Sequence, residues 1–81
     1  MNLEFNETLD GEQFGRFRIL LQSYVDYDIE DEDNDLLYNV AIEFDGTPFS
    51  YTLDIFESYD QAIAELYYRN LIDNIKRSIR R

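Results

Sequence analysis

Cysteine and histidine are both missing from this 81-residue chain, and lysine occurs once, at Lys76. Without cysteine there is no disulfide framework, no thiolate metal site and no thiol nucleophile. Without histidine the commonest general base and nitrogen ligand are gone too. Ser23, Ser50, Ser58 and Ser78 have no activating partner visible in the sequence, and Gly11, Gly15 and Gly46, the only glycines, match no phosphate-binding loop. A pair of carboxylates doing glycosidase chemistry needs a deep cleft, which a chain this short does not build. No apolar run approaches the roughly 18 residues of a membrane span, and the stretch from Met1 to Glu7 lacks the basic start and apolar core of a signal peptide. The expectation is a single domain over residues 1–81 that is cytoplasmic, enters no membrane, carries no cofactor or metal and is not an enzyme.

What the chain has is acid and aromatic rings. Formal net charge is −11, unevenly spread: residues 1–75 hold all 18 acids against Arg16, Arg18 and Arg69, while Lys76, Arg77, Arg80 and Arg81 close the sequence. A body this acidic repels nucleic acid and anionic lipid and attracts basic proteins. The terminal cluster complements the negative end of a helix dipole. Seven tyrosines and six phenylalanines supply core material, each buried ring removing about 150–250 Å² from water.

Two period-two runs between Leu36 and Phe56 flank Asp45-Gly46-Thr47-Pro48, which predicts a β-hairpin. Pairing Phe44 with Phe49 aligns Ile42 with Tyr51, Val40 with Leu53 and Tyr38 with Ile55 on one apolar face, and leaves Leu37 and Phe56 together on the other. Arg16–Glu30 alternates as well, with Phe17, Ile19, Leu21, Val25, Tyr27 and Ile29 on one side; Ser23 and Leu20 break the pattern and suggest a bulge. A helix over Glu12–Val25 competes, but the alternation persists to Ile29, where a helical stripe would have drifted. Ser58 with Gln61 three residues on reads as a capping box opening a helix to about residue 79. Its stripe is Ala64, Tyr67, Tyr68, Leu71, Ile72, Ile75 and Ile79. The fold class predicted is α+β: an antiparallel meander of three or four strands with one long carboxy-terminal helix on one face. The opening dozen residues fit either an edge strand near Leu3–Phe5 or a short helix near Asp10–Phe14.

The densest feature is residues 26–35, with seven carboxylates in ten positions. Framed as a calcium loop from Asp26, it places Asp31 where glycine is required and Leu37 where glutamate is required, so the motif fails. A charge run is most often a solvated connection. Here, however, the acids begin inside a predicted strand, at Asp26 and Asp28, and continue on the polar sheet face at Glu43 and Asp54. The candidate partner-binding set is therefore Tyr24, Asp26, Asp28, Glu30, Asp31, Glu32, Asp33, Asp35, Glu43 and Asp54. Tyr24 is included because it projects from the polar side of its strand and tyrosine is enriched in interfaces.

In size, acidity and lack of catalytic side chains, the chain resembles phage-encoded anti-CRISPR and anti-restriction inhibitors. The resemblance is one of class and rests on bulk properties and the Asp26–Asp35 run, with no family motif matched. It implies an inhibitor that mimics nucleic-acid charge and blocks a basic, nucleic-acid-binding protein such as a nuclease, without binding nucleic acid itself. Two other readings stand beside it: a structural or assembly protein forming a homo-oligomer through Tyr67, Leu71 and Ile75, and an antitoxin or immunity protein neutralising a basic toxin.

Overall fold

The computed structural model describes residues 3–27, 36–46 and 48–79. Four antiparallel strands, β1 (Leu3–Phe14), β2 (Phe17–Asp26), β3 (Leu36–Phe44) and β4 (Tyr51–Ser58), form one sheet in the order β1-β2-β3-β4, followed by helix α1 (Gln61–Ile79). This is the α+β meander the alternation predicts. The opening segment resolves as a full edge strand rather than a short helix at Asp10–Phe14, and β2 ends at Asp26.

Gly15 and Arg16 close the β1–β2 hairpin, with Phe14 paired to Phe17. Gly15 takes φ of 58° and is the one described residue with positive φ, the pattern of a II′ turn, which places glycine first. The expected irregularity of β2 resides in its partner. β1 has extra residues at Asn6 and Leu9, where the pairing shifts between Phe5 and Glu7 and between Thr8 and Asp10. Both bulges serve packing. The Asn6 amide donates to the Ser23 hydroxyl (2.9 Å), satisfying the buried polar group on the apolar side of β2. Leu9, like Phe14 at the end of the same strand, packs against the core.

In the β3–β4 hairpin Phe44 pairs with Tyr51 rather than Phe49, and Ile42 with Leu53 rather than Tyr51. A shift of two residues leaves every side chain on its expected face, so alternation cannot distinguish the two registers. The longer loop decides: Gly46 lies so close to the Phe49 carbonyl that a Cβ would collide with it, and Phe49 stays outside the ladder. A further shift between Val40 and Ala41 pairs Val40 with Phe56. Phe56 thereby turns to the helix side, where its ring stacks on Tyr67 (centroids 4.3 Å apart, 5° between planes), instead of joining Leu37 on the other face.

Helix α1 is capped by Asp60, not Ser58. The Asp60 carboxylate accepts from the backbone N–H of Ala62 (2.9 Å) and Ile63 (3.4 Å), and Ser58 instead accepts from the N–H of Asp60 (3.0 Å). A carboxylate at this place also meets the positive end of the helix dipole. Ala64, Tyr68 and Ile72 dock on Ile19, Leu21 and Val40 to form the core, with Leu71 and Ile75 packed at its margin and Ile79 left exposed. A row of rings, Phe14, Phe17, Phe44 and Tyr51, crosses all four strands at the hairpin end with centroid separations of 5.6, 6.4 and 4.9 Å.

Candidate functional site

The chain makes a slab of 49 × 31 × 15 Å whose two ends differ in charge. Arg16 in the first turn, Arg18 at the start of β2, and Lys76 and Arg77 in the last turn of α1 gather at one end. Two of the four are answered locally: Arg18 binds Glu43 (2.7 Å) and Lys76 binds Glu12 (2.9 Å). The opposite end holds Glu4, Asp26, Glu57 and Asp60, and it is where the chain leaves β2 and enters β3. Asp28, Glu30, Asp31, Glu32, Asp33 and Asp35 lie outside the described residues.

Of the remaining predicted site residues, Tyr24, Glu43 and Asp54 share the helix-free face, as the register requires: Tyr24 lies opposite Leu37, Glu43 opposite Arg18 and Asp54 opposite Ala41. Tyr24 is partly covered by Phe5, edge-on at 5.7 Å, and its hydroxyl donates to Gln22 (3.3 Å). Burial, then the charges of Asp54 and Glu57, hold its phenol above the ordinary range. Glu43 is spent on Arg18, whereas Asp54 is exposed. Asp26 is only 5% exposed and accepts from the Tyr59 hydroxyl (2.6 Å), which ties the end of β2 to the β4–α1 connection. Asn39, buried in the middle of this face, leaves its Oδ1 without a partner among the described residues.

A second acidic array was not predicted. Glu4, Glu7, Asp10 and Glu12 on β1 stand opposite Val25, Ser23, Leu21 and Ile19, all on the helix side of β2. Directly opposed residues share a face, so these four acids form one row at successive alternate positions of β2, about 6.6 Å apart. Strand β1 contains no Lys or Arg, and among the described residues only Glu12 of the row enters an ion pair. The two bulges make the row: without the extra residues at Asn6 and Leu9, Glu7 would not share a face with Asp10 and Glu12. The visible signal was the even spacing of Glu4, Asp10 and Glu12, broken by Leu9 and Glu7.

A cleft of about 100 Å³ between β1 and α1 is lined by Leu9, Asp10, Leu21, Glu65, Tyr68 and Arg69. Its size and lining suit water or a single side chain of a partner, and among the described residues no acids are grouped to hold a metal ion. The field of the row is felt by neighbouring phenols. Tyr68 is pushed up to about 12, by burial first and then by Asp10 and Glu12. Tyr27 is raised by its hydrogen bond to Glu4 and by that carboxylate's charge.

The Tyr68 shift predicts alkaline behaviour. Below about pH 10 the phenol is neutral in folded and unfolded chains alike. As pH rises further, the unfolded chain releases the proton first, so stability is lost between about pH 10 and 12. An absorbance titration of the phenolate band should show a component near pH 12 that disappears in Tyr68→Phe, and the variant should lose less stability over that interval. Titration of all tyrosines together near pH 10 would contradict the placement of Tyr68 beneath the helix.

No helix is long and apolar enough to cross a membrane among the described residues. No protein family, curated protein or solved structure matches the chain.

Proposed function

We propose that this chain is a small inhibitor that presents carboxylates in place of nucleic-acid phosphates and occupies the groove of a basic, nucleic-acid-binding protein. The observation that carries the reading is the β1 row of Glu4, Glu7, Asp10 and Glu12, held on hydrogen-bonded backbone along one edge of the slab. One strand of a duplex presents a phosphate every ~3.4 Å of axis. A carboxylate every ~6.6 Å on a β-strand offers about half that linear density. Glu65 across the cleft, Asp54 and Glu57 on the other face, and the acidic run at 28–35 add to it.

The mechanism is competition. Arginines and lysines that would grip phosphate pair with the carboxylates, and a long-range field brings the partners together quickly. Charge-assisted hydrogen bonds then hold them. Nothing in this mechanism needs a catalytic group.

The test is displacement of a labelled DNA duplex from a nuclease with a Lys/Arg-lined groove, with the full chain as competitor. Displacement is expected at about 0.05 M salt and should weaken steeply by about 0.2 M, as phosphate mimicry demands. Failure to displace at the lower salt across a panel of such nucleases would refute mimicry.

A further inference from the structure

The cleft between β1 and α1 joins an apolar lining to charged walls. Leu9 and Leu21 supply carbon from the sheet, and the buried Tyr68 closes the helix side. Asp10 stands on the β1 wall, and Glu65 and Arg69 stand on the α1 wall. The space measures about 100 Å³. Pockets for drug-sized ligands run to about 300–1,000 Å³, so this one admits the head of a single side chain and nothing larger.

Three observations define that head. Tyr68 is only 5% exposed, yet its hydroxyl has no hydrogen-bond partner among the described residues. The hydroxyl is not sealed in, because the one fully buried side-chain polar atom without a partner among them is Asn39 Oδ1, on the other face of the sheet. It therefore opens into the cleft that Tyr68 lines, and a ligand that donates to it relieves an unpaired polar group. Next, the neighbouring acid of the β1 row already holds a cation from the helix, since Lys76 reaches Glu12 at 2.9 Å. Asp10 follows in the same row, opposite Leu21 where Glu12 is opposite Ile19. One Asp10 oxygen accepts from the N–H of Gly11 (2.8 Å), and the other has no partner among the described residues. Last, the cation in the lining leaves the space unfilled: the Arg69 side chain is 76% exposed and stands 3.9 Å from Glu65.

We infer that the cleft takes one arginine side chain of a basic partner protein, its guanidinium held between Asp10 and Glu65 and one N–H donating to the Tyr68 hydroxyl. The identity of the partner rests on the phosphate-mimic reading above. The head is a donor because it meets two carboxylates and an unpaired phenol oxygen. Arginine suits this better than lysine: its planar fork of five donors serves several acceptors around a slot, and a guanidinium is more weakly hydrated than an ammonium. Its methylene stem lies along Leu9 and Leu21. Arg69 competes from within, offering the same group to Glu65, and it swings aside when the partner's arginine enters.

Binding of a hexa-arginine peptide to the full chain, at about 0.15 M salt to damp the long-range field, tests this. Asp10→Asn should weaken binding about tenfold through loss of a charge-assisted contact. Glu57→Gln removes the same single charge from the helix-free face and should cost about twofold or less. Tyr68→Phe keeps the ring in the core and should weaken binding about threefold at unchanged helix content. Arg69→Ala should tighten binding about threefold, whereas Arg77→Ala, an equal change of charge outside the cleft, should alter it by less than about twofold. Hexalysine should bind the parent at least about threefold more weakly than hexa-arginine. Equal losses in Asp10→Asn and Glu57→Gln, or equal affinity for the two peptides, overturn the inference and leave the acids acting through their field alone. The two ideas fail separately: a chain that holds hexa-arginine through Asp10 but displaces no duplex keeps the arginine cleft and loses nuclease mimicry.

Discussion

Converting Glu4, Glu7, Asp10 and Glu12 together to their amides is expected to slow association with a basic nuclease by about tenfold or more at low salt, with a smaller effect on dissociation. The asymmetry follows from the physics of steering. The row contributes four of the 18 acids, fixed along one edge, and a field acts on the encounter before any contact forms. The variant should also be no less stable than the parent. Three of the four acids are in no ion pair among the described residues, and removing them relieves repulsion within a chain of net charge −11. Glu12 alone gives up a surface pair with Lys76, worth about 0–1 kcal/mol. Stopped-flow binding of the two proteins at several salt concentrations is the measurement. A companion variant carrying amides at Asp28, Glu30, Asp31, Glu32, Asp33 and Asp35 tells which acidic array does the steering. Unchanged association rates in both would leave the acidity as a solubility device and remove the basis for mimicry.

The fold was legible where one signal sufficed. Alternation in Phe17–Leu21 and Tyr38–Phe44, and the helical stripe of Ala64, Tyr68 and Ile72, point to the same core that packs in the structure. Legibility failed where two residues share one place in a ladder. A bulge inserts a residue without changing composition, so the Asn6 and Leu9 insertions hid the extent of β1 beyond Leu3–Phe5, and the shift next to Val40 left Phe56 expected on the face opposite the one it takes. The helix cap was misplaced because Ser58 and Asp60 both accept backbone hydrogen bonds at the same connection. Only the pattern of donors separates them: Ala62 and Ile63 turn to Asp60.

The candidate site was less legible for a related reason. The eye is drawn to contiguous charge, as at residues 26–35, whereas a strand gathers a charged face from separated positions. Contiguous acids alternate between the faces of a strand. Asp26, the first of the run, is folded inward onto Tyr59. The acids that share a face on β1 are interleaved with Phe5, Leu9 and Gly11 in sequence and become neighbours only through pairing with Ile19, Leu21, Ser23 and Val25.

Truncating the buried centre of the slab should be the most damaging single change. Ile19 is fully buried, pairs with Ile42 on β3 and belongs to the cluster that joins β2 and β3 to Ala64, Tyr68 and Ile72 of the helix. Ile19→Ala removes three carbons where the surroundings are sheet backbone and a docked helix, neither of which collapses easily, so a loss of about 2–5 kcal/mol is expected. A domain of this size has about 5–15 kcal/mol in all, and each kcal/mol corresponds to about 4–8 °C of Tm. The variant should therefore melt at least about 8 °C below the parent, and urea unfolding should show a lowered midpoint at unchanged slope. Leu66→Ala, on the exposed side of the helix, should lie within about 0.5 kcal/mol of the parent. The contrast between the two is the informative quantity, because both sites hold a branched aliphatic side chain and differ in whether the helix covers it. Equal losses at Ile19 and Leu66 would mean that α1 rests on the sheet by a different face.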